Sequence, residues 1–295
     1  MILCSLYFRS KCNGSLKEIC YIHDWNLPQY FFNHILPMKH ALYLLIISGI
    51  LFHCNVPQPS ENNHDNPAAE GFNEKDSDVK AIEIADNVMM AMGGRAAWDN
   101  TRHIAWNFFN RRDLVWDKKT GDVRIDVPGD TSIYLLNIVT LKGKVIKKGT
   151  EVTDPKELAD LITEARKIWI NDSYWLVMPF KLKDSGVTLK YVREENMLTG
   201  VPSDVLQLTF QNVGVTPENK YEVWVDKSDN LVKQWAFFRS AEQDSASFIR
   251  PWDNYKDFSG IKLSSDRSDD GGPKNVRVFE TLPEEVYQSF DAPTF

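Results

Sequence analysis

The stretch Asp154-Pro-Lys-Glu-Leu-Ala-Asp-Leu-Ile-Thr-Glu-Ala-Arg-Lys-Ile-Trp169-Ile-Asn-Asp-Ser-Tyr-Trp-Leu-Val-Met-Pro179-Phe-Lys-Leu182 decides the fold, because it sets one amphipathic helical pattern among short alternating segments. Asp154 can cap a helix, Pro155 fits its first turn and Glu157 stands three residues past the cap, which together mark a helix start. Leu158, Leu161, Ile162, Ala165 and Trp169 then recur at helical spacing and give it one apolar face. The run from Asn171 to Leu182 that follows is the densest apolar and aromatic stretch of the domain. A one-faced helix needs a surface to cover, and the segments on either side supply it.

Upstream, Ile104, Trp106 and Phe108 alternate with Ala105, Asn107 and Phe109 in a strand read as continuing to Trp116; the turn Asp117-Lys-Lys-Thr-Gly121 leads to Val123, Ile125 and Val127. Ile133 to Val139 is apolar on both faces, so the pattern predicts a strand covered by a helix on one side and by other apolar chain on the second. Lys142-Gly143-Lys144 opens a short basic strand. Downstream, Val187, Leu189 and Tyr191, then Leu206, Leu208 and Phe210, then Tyr221, Val223 and Val225 each alternate with polar partners, as half-buried antiparallel strands do. Further strands are expected over 231–240, 247–252, 261–265 and 276–279. A helix carrying Val79, Ile82, Ala85, Val88, Met89 and Met92 precedes them all, stopped by Gly93-Gly94, and one carrying Val286, Tyr287 and Phe290 follows. The class is mainly β (α+β): a curved antiparallel half-barrel of about ten or eleven strands with helices closing its concave side.

The N-terminal part is of another kind. Residues 1–37 show no sustained period and read as an untranslated or disordered leader. Residues 38–54 run from Met38-Lys39-His40 through an apolar core to Cys54, the layout of an export signal ending in a cysteine, with a core too short to span a bilayer. Phe52 and His53 stand where such signals usually carry small residues, so an uncleaved leader is the alternative. Residues 55–76, rich in Pro, Asn and acids, read as a flexible tether, and 77–295 as the folded domain. All four cysteines lie at or before Cys54, so the domain has no thiol for a disulfide, a nucleophile or a zinc site.

Within the domain the only histidine is His103, which leaves little for a Ser-His-Asp or zinc-histidine site. Glu194-Glu195, Asp269-Asp270 and Glu284-Glu285 are adjacent acids in turns or at a helix start, where solvated faces are the usual explanation. Asp226-x-Ser228-x-Asn230 has half of a calcium loop and reads as a hairpin turn. Eight of the nine tryptophans follow residue 54, which indicates either an aromatic-lined cavity or a wide core filled by its own rings. Trp224, between acids, is the one candidate for an exposed sugar platform. Arg111 and Arg112, adjacent on one strand, would point to opposite faces, so one of them would face inward as a partner for an anionic headgroup or as a structural ion pair. The net charge of -7 disfavours nucleic acid.

The leader ending in Cys54, the helix-strand order and the segment Trp169-Ile-Asn-Asp-Ser-Tyr-Trp-Leu-Val-Met-Pro-Phe-Lys-Leu-Lys-Asp184 together resemble the LolA-like family of outer-membrane lipoprotein-sorting type, nearest to the uncharacterised envelope lipoproteins of Bacteroidetes. The resemblance implies a cavity between sheet and helices that receives acyl chains, a lipid or lipoprotein ligand, no covalent chemistry and no cofactor. The leader resembles a bacterial lipoprotein signal, which implies a lipid on Cys54 holding the protein to a membrane, a departure from the soluble carrier of the family; a monomer in the bacterial envelope, facing the periplasm, is expected. Candidate cavity residues are Trp106, Phe108, Arg111, Arg112, Leu135, Leu161, Trp169, Trp175, Met178, Phe180, Leu208, Phe210 and Trp235. A secreted carbohydrate-active or other hydrolytic protein, needing two inward carboxylates, and a structural adaptor with a self-filled interior are the alternatives.

Overall fold

The computed structural model describes residues 66–265, 267 and 271–295. Cys54, the signal segment and the leader lie outside the described residues. Helices α1 (Val79–Ala91) and α2 (Arg95–Asn100) lead into strands β1 (His103–Phe108), β2 (Arg112–Asp117), β3 (Asp122–Val127), β4 (Ser132–Asn137), β5 (Lys142–Lys147) and β6 (Thr150–Glu151). The long helix α3 (Pro155–Val177) follows. Then come β7 (Val187–Asn196), β8 (Pro202–Phe210), β9 (Lys220–Asp226), β10 (Val232–Phe238), β11 (Phe248–Pro251), β12 (Tyr255–Phe258), β13 (Ile261–Ser264), β14 (Pro273–Phe279) and the short helix α4 (Glu285–Gln288).

The strands pair antiparallel throughout, in a seven-stranded sheet of order β14-β1-β2-β3-β4-β5-β6, a five-stranded sheet of order β11-β10-β9-β8-β7 and the β12-β13 hairpin. This is the mainly β, antiparallel architecture with helices that the alternation predicts, with 14 strands among the described residues. The additional three are β6 and β12, which are too short to show a period, and β2. The segment from His103 to Trp116 is two strands, because Phe109 and Asn110 take left-handed conformations (φ 53° and 54°) and turn the chain into a hairpin. Asn110 tolerates that conformation, and its N–H donates to the Asn107 side chain at 2.7 Å.

One hydrophobic cluster joins the helices to one face of each large sheet. From the first sheet it takes Ile104, Trp106, Phe108, Leu114, Trp116, Val123, Ile125, Tyr134, Leu136 and Val145; from the second, Leu206, Leu208, Val223, Val225 and Trp235. Its alternate residues fall on the opposite faces. On the first sheet, Ala105 and Val115 pack against Val286, Tyr287 and Phe295 of the C-terminal segment, so both faces are covered, as the doubly apolar β4 pattern requires. The fully buried Arg124 fixes that cover: its guanidinium donates to the carbonyls of Val286 (3.3 Å) and Ser289 (2.8 Å) and pairs with Asp126 (2.6 Å).

α3 opens as expected, with the Asp154 carboxylate accepting the Glu157 N–H at 2.8 Å and Pro155 in the first turn. It then runs on through Asn171–Val177 and gives way to a 3-10 turn, Met178–Lys181, where Pro179 can supply no N–H to continue it. Residues 66–76, read as tether, are hydrogen-bonded to the domain: Ala69 N–H to Lys183 O (2.9 Å), Asn73 N–H to Val187 O (3.0 Å) and Gly186 N–H to Gly71 O (2.8 Å). They cover part of the β7 edge that would otherwise stand open. No helix among the described residues is long and apolar enough to cross a membrane.

Candidate functional site

The second half of α3 carries Trp169, Ile170, Tyr174 and Trp175, and the facing second sheet carries Val187, Phe210 and Tyr221 on adjacent strands, with Val187 opposite Phe210 and Leu208 opposite Tyr221 in register. Between them lies a cleft of about 330 Å³, whose remaining wall is Val213, Gly214, Val215 and Thr216 of the β8–β9 loop. Lys167, Asn171, Ser173, Lys181, Asp184 and Ser185 contribute its polar lining together with Thr216, Lys181 being ion-paired with Asp184. A mostly apolar concavity of this size with a few polar groups is what small-ligand sites are made of.

Next to the cleft the interior is filled. Trp175 stands edge-on to Trp235 (ring centres 4.7 Å apart), Phe109 (5.2 Å) and Phe108 (6.1 Å), and Trp235 in turn edge-on to Trp252 (5.8 Å) and Phe248 (5.4 Å). Edge-to-face packing of this kind is the favoured arrangement of aromatic rings and makes this region a rigid plug. The two readings of the tryptophans therefore each apply to a different part of the molecule.

Of the candidate residues, Trp169, Trp175 and Phe210 line the cleft. Phe108 and Trp235 belong to the aromatic plug against Trp175, while Trp106, Met178 and Leu208 are buried core on the same side and Leu161 is partly buried against it. Phe180 lies elsewhere, stacked on Trp98 of α2 at 4.3 Å. Leu135 is a correction: it is buried on the opposite face of the first sheet, beside Tyr287 and Gln288, because Tyr134 and Leu136 take the helix side of β4. Arg111 is a second correction, being exposed in the β1–β2 turn rather than inward on a strand.

Arg112 does point inward, as a structural ion pair. Its Nε and Nη2 donate to the two oxygens of Asp172 at 2.6 and 3.0 Å, and the Asn171 side chain adds a bond of 2.9 Å. Asp172 is fully buried on α3; burial pushes its carboxyl above the ordinary value, against the pull of the Arg112 guanidinium. Trp224 is likewise corrected: it is buried on the far face of the second sheet, packed with Met197, Val205 and Phe238, its indole N–H donating to Glu195 at 3.0 Å, so it offers no platform.

Other buried carboxylates are also tied up. Asp117 accepts from Arg102 at 3.0 Å and Asp226 from Lys233 at 2.6 Å, the latter inside the hairpin turn read from Asp226 to Asn230. His103 is buried, with Nδ1 2.8 Å from the Tyr287 hydroxyl and 3.8 Å from Asp117; burial pushes its pKa down, opposed by Asp117 and aided by Arg102. It pins α4 to β1.

Tyr174, Tyr221, Val213 and Val215 were not among the candidates. Tyr174 would have followed from carrying α3 on past Ile170, its neighbour one turn earlier. The loop valines had no periodicity to reveal them.

No family model matches the chain, and no curated protein does. Solved structures do. A DUF1329 family protein from Desulfovibrio piger is similar over 71% of this chain and 97% of its own, at 13% identity and a TM-score of 0.40. A protein domain from Vibrio parahaemolyticus described as of outer membrane lipoprotein-sorting type covers 71% and 97% at 10% identity and 0.36. A LolA superfamily protein from Nitrosomonas europaea covers 70% and 96% at 11% identity and 0.33. At 10–13% identity and TM-scores of 0.40 and below these likenesses carry no argument about family or role.

Proposed function

We propose that this protein is a lipid-anchored component of the bacterial envelope that holds a hydrophobic or acylated ligand in the cleft between α3 and the second sheet, without covalent chemistry. The observation that carries the reading is the cleft itself: about 330 Å³ walled by Trp169, Tyr174, Trp175, Phe210 and Tyr221, with Lys167, Lys181 and Asp184 among its polar lining. The exposed surface of the wall is mostly apolar, with Asn171, Ser173, Ser185 and Thr216 adding hydrogen-bonding groups to it, which fits an amphiphile. The hydrolytic alternative needs two free inward carboxylates, and Asp117, Asp172 and Asp226 are each held by a cation instead.

Native mass spectrometry of the Cys54→Ser protein, which carries no acyl groups of its own, exported to the envelope of a bacterial host and purified without detergent, tests the reading. A reproducible adduct that fragments as an acyl lipid is the expected result. A bare mass that stays bare after incubation with lipid would favour the adaptor, whose supporting observation is the aromatic plug around Trp175 and Trp235. The anchor is tested separately: Cys54→Ser should move the protein from the membrane fraction to the soluble one, and unchanged membrane association would remove that part of the proposal.

A further inference from the structure

The C-terminal segment, residues 281–295, lies across the outer face of the first sheet as a strap. Its apolar hold is small: Val286 is its one buried residue, and Leu282, Tyr287 and Phe295 pack only partly against Ala105 and Val115. A groove of about 400 Å³ reaches the sheet on each side of it, one bordered by Asp113, Asp126 and Phe295, the other by Leu135, Lys142 and Gln288. Polar contacts supply the remaining hold. Arg124 donates to the carbonyls of Val286 and Ser289, Arg277 to that of Phe295 at 3.0 Å, and Lys144 stands 4.9 Å from the centre of the Phe290 ring. His103 meets Tyr287, and it is the one group among these contacts that changes charge near neutral pH.

His103 is 1% exposed, and its Nε2 is buried with no partner among the described residues. A neutral ring suits this site, since Nδ1–H can donate to the Tyr287 oxygen while Nε2 stays a bare lone pair. An imidazolium does not, because Nε2–H would be a buried donor without an acceptor on a desolvated cation. The charged groups facing the ring are Asp117, opposite it on β2 with Oδ2 3.8 Å from Nδ1, and Arg102, which pairs with Asp117 at 3.0 Å. Asp117 also accepts the Lys119 and Thr120 N–H groups, so its charge is already shared. From α4 the facing group is Tyr287, whose phenol burial pushes up and keeps neutral, with Glu284 acting on Arg102 and Asp122 on Tyr287 from farther out. β14 places Phe279 opposite. Burial, aided by Arg102 and opposed by Asp117, holds the imidazole below its ordinary value.

We propose that the strap is a pH-operated cover: protonation of His103 breaks its contact with Tyr287 and releases α4, uncovering Ala105, Val115 and Leu135 on the outer face of the first sheet. None of these residues lines the cleft, so the device is independent of what the cleft holds. Linkage fixes the direction. The released strap takes up the proton first, so the cover is held at and above neutral pH. As the pH falls through the ordinary histidine range, its opening equilibrium rises by up to about tenfold per pH unit.

Hydrogen exchange of the full-length Cys54→Ser protein from about pH 8 to about pH 5, with each amide expressed relative to its intrinsic rate at the same pH, tests the proposal. The Val286, Tyr287 and Ser289 amides, bonded to the carbonyls of Pro283, Glu284 and Glu285, report the strap, and the β8 amides report the body. Strap protection should fall on acidification while β8 keeps its own. In His103→Gln, which cannot titrate, strap protection should be constant over the range. An equal fall in strap and β8 would be ordinary acid unfolding, and no fall in the strap would mean that the imidazolium is accommodated in place. Either result overturns the proposal, as does a His103→Gln strap that still loosens in acid. Should that variant not fold, the ring resonances of His103 in the parent protein, followed by NMR, must titrate below the ordinary histidine value; titration at or above it overturns the proposal equally.

Discussion

The two halves of α3 lie on their sheets in opposite ways. Over the first sheet the helix is so close that a Cβ added at Gly143 would stand 2.8 Å from Cδ1 of Ile162 and 2.1 Å from the Leu135 carbonyl. There its face is Leu158, Leu161, Ile162 and Ala165, small or aliphatic, and it meets a glycine. Over the second sheet the same helix presents Tyr174 and Trp175, whose rings meet those of Phe210, Tyr221 and Trp235, while Trp169 stands edge-on to Trp116 of the first sheet. Large flat side chains facing each other interlock where edges meet faces and leave a gap where they do not. One helix therefore seals one sheet and leaves a cleft beside the other, through residue size alone.

Removing Trp175 breaks the comparison most severely. Trp175→Ala should lose about 3–5 kcal/mol in urea denaturation, because its ring joins Phe108, Phe109, Trp235 and Phe248. A loss under about 1 kcal/mol would mean that helix and second sheet do not meet there.

Arg112→Leu comes next, at about 3 kcal/mol, since it strands the Asp172 carboxylate in the interior at the point where the two halves of the helix join. The pH dependence has a definite sign. A carboxyl whose folded-state pKa is raised contributes stability at pH values below its unfolded pKa and loses that contribution as the pH rises through the folded one. The Arg112→Leu defect should thus be largest at neutral pH and shrink in acid, where Asp172 takes up a proton. A defect independent of pH would show that lost packing, not stranded charge, is responsible.

Gly143→Ala probes the sealed half, where the added methyl meets backbone and should cost about 1–3 kcal/mol; a neutral outcome would mean that α3 can lift off the first sheet. On the opposite face, His103 has a folded-state pKa below its ordinary value, so the unfolded chain binds the proton first. Stability should be flat above the ordinary histidine range and fall as the pH drops through it, by up to about 1.4 kcal/mol per pH unit, and His103→Phe should flatten the curve. Smallest of all is Tyr174→Phe in the open half: it removes an unpartnered hydroxyl and should leave stability unchanged or raise it by up to about 1 kcal/mol. A clear loss in thermal unfolding would mean that the hydroxyl has a partner in the protein.

The same contrast explains what could be read from the chain beforehand. β7 to β9 were legible because the residues of their helix side recur at every second position, and the start of α3 because Asp154, Pro155 and Glu157 act locally. The second half of α3 was obscured by Asp172, a charge at a position where the helical period asks for an apolar residue; only the distant Arg112 makes it tolerable. The β1–β2 hairpin was hidden for a related reason. Its turn, Phe109-Asn110-Arg111, contains neither glycine nor proline, and so two arginines on different elements looked like neighbours on one strand. Aromatic residues of the cleft were visible as a class, but which rings fill space and which border it depends on pairings between α3 and β8 to β11 that no local pattern records.

The central claim is that the cleft, and not the surface at large, holds an acylated ligand. It is tested most directly by filling the space: Val215→Trp at the half-exposed rim of the β8–β9 loop, compared with the wild-type cleft by native mass spectrometry after detergent-free purification, both proteins carrying Cys54→Ser so that no anchor adds acyl mass. The account predicts an acyl-bearing adduct on the protein with the wild-type cleft and a bare mass for the variant at unchanged stability. Equal occupancy in both would place the ligand elsewhere, and a bare mass for both, even after incubation with acyl lipid, would contradict the claim.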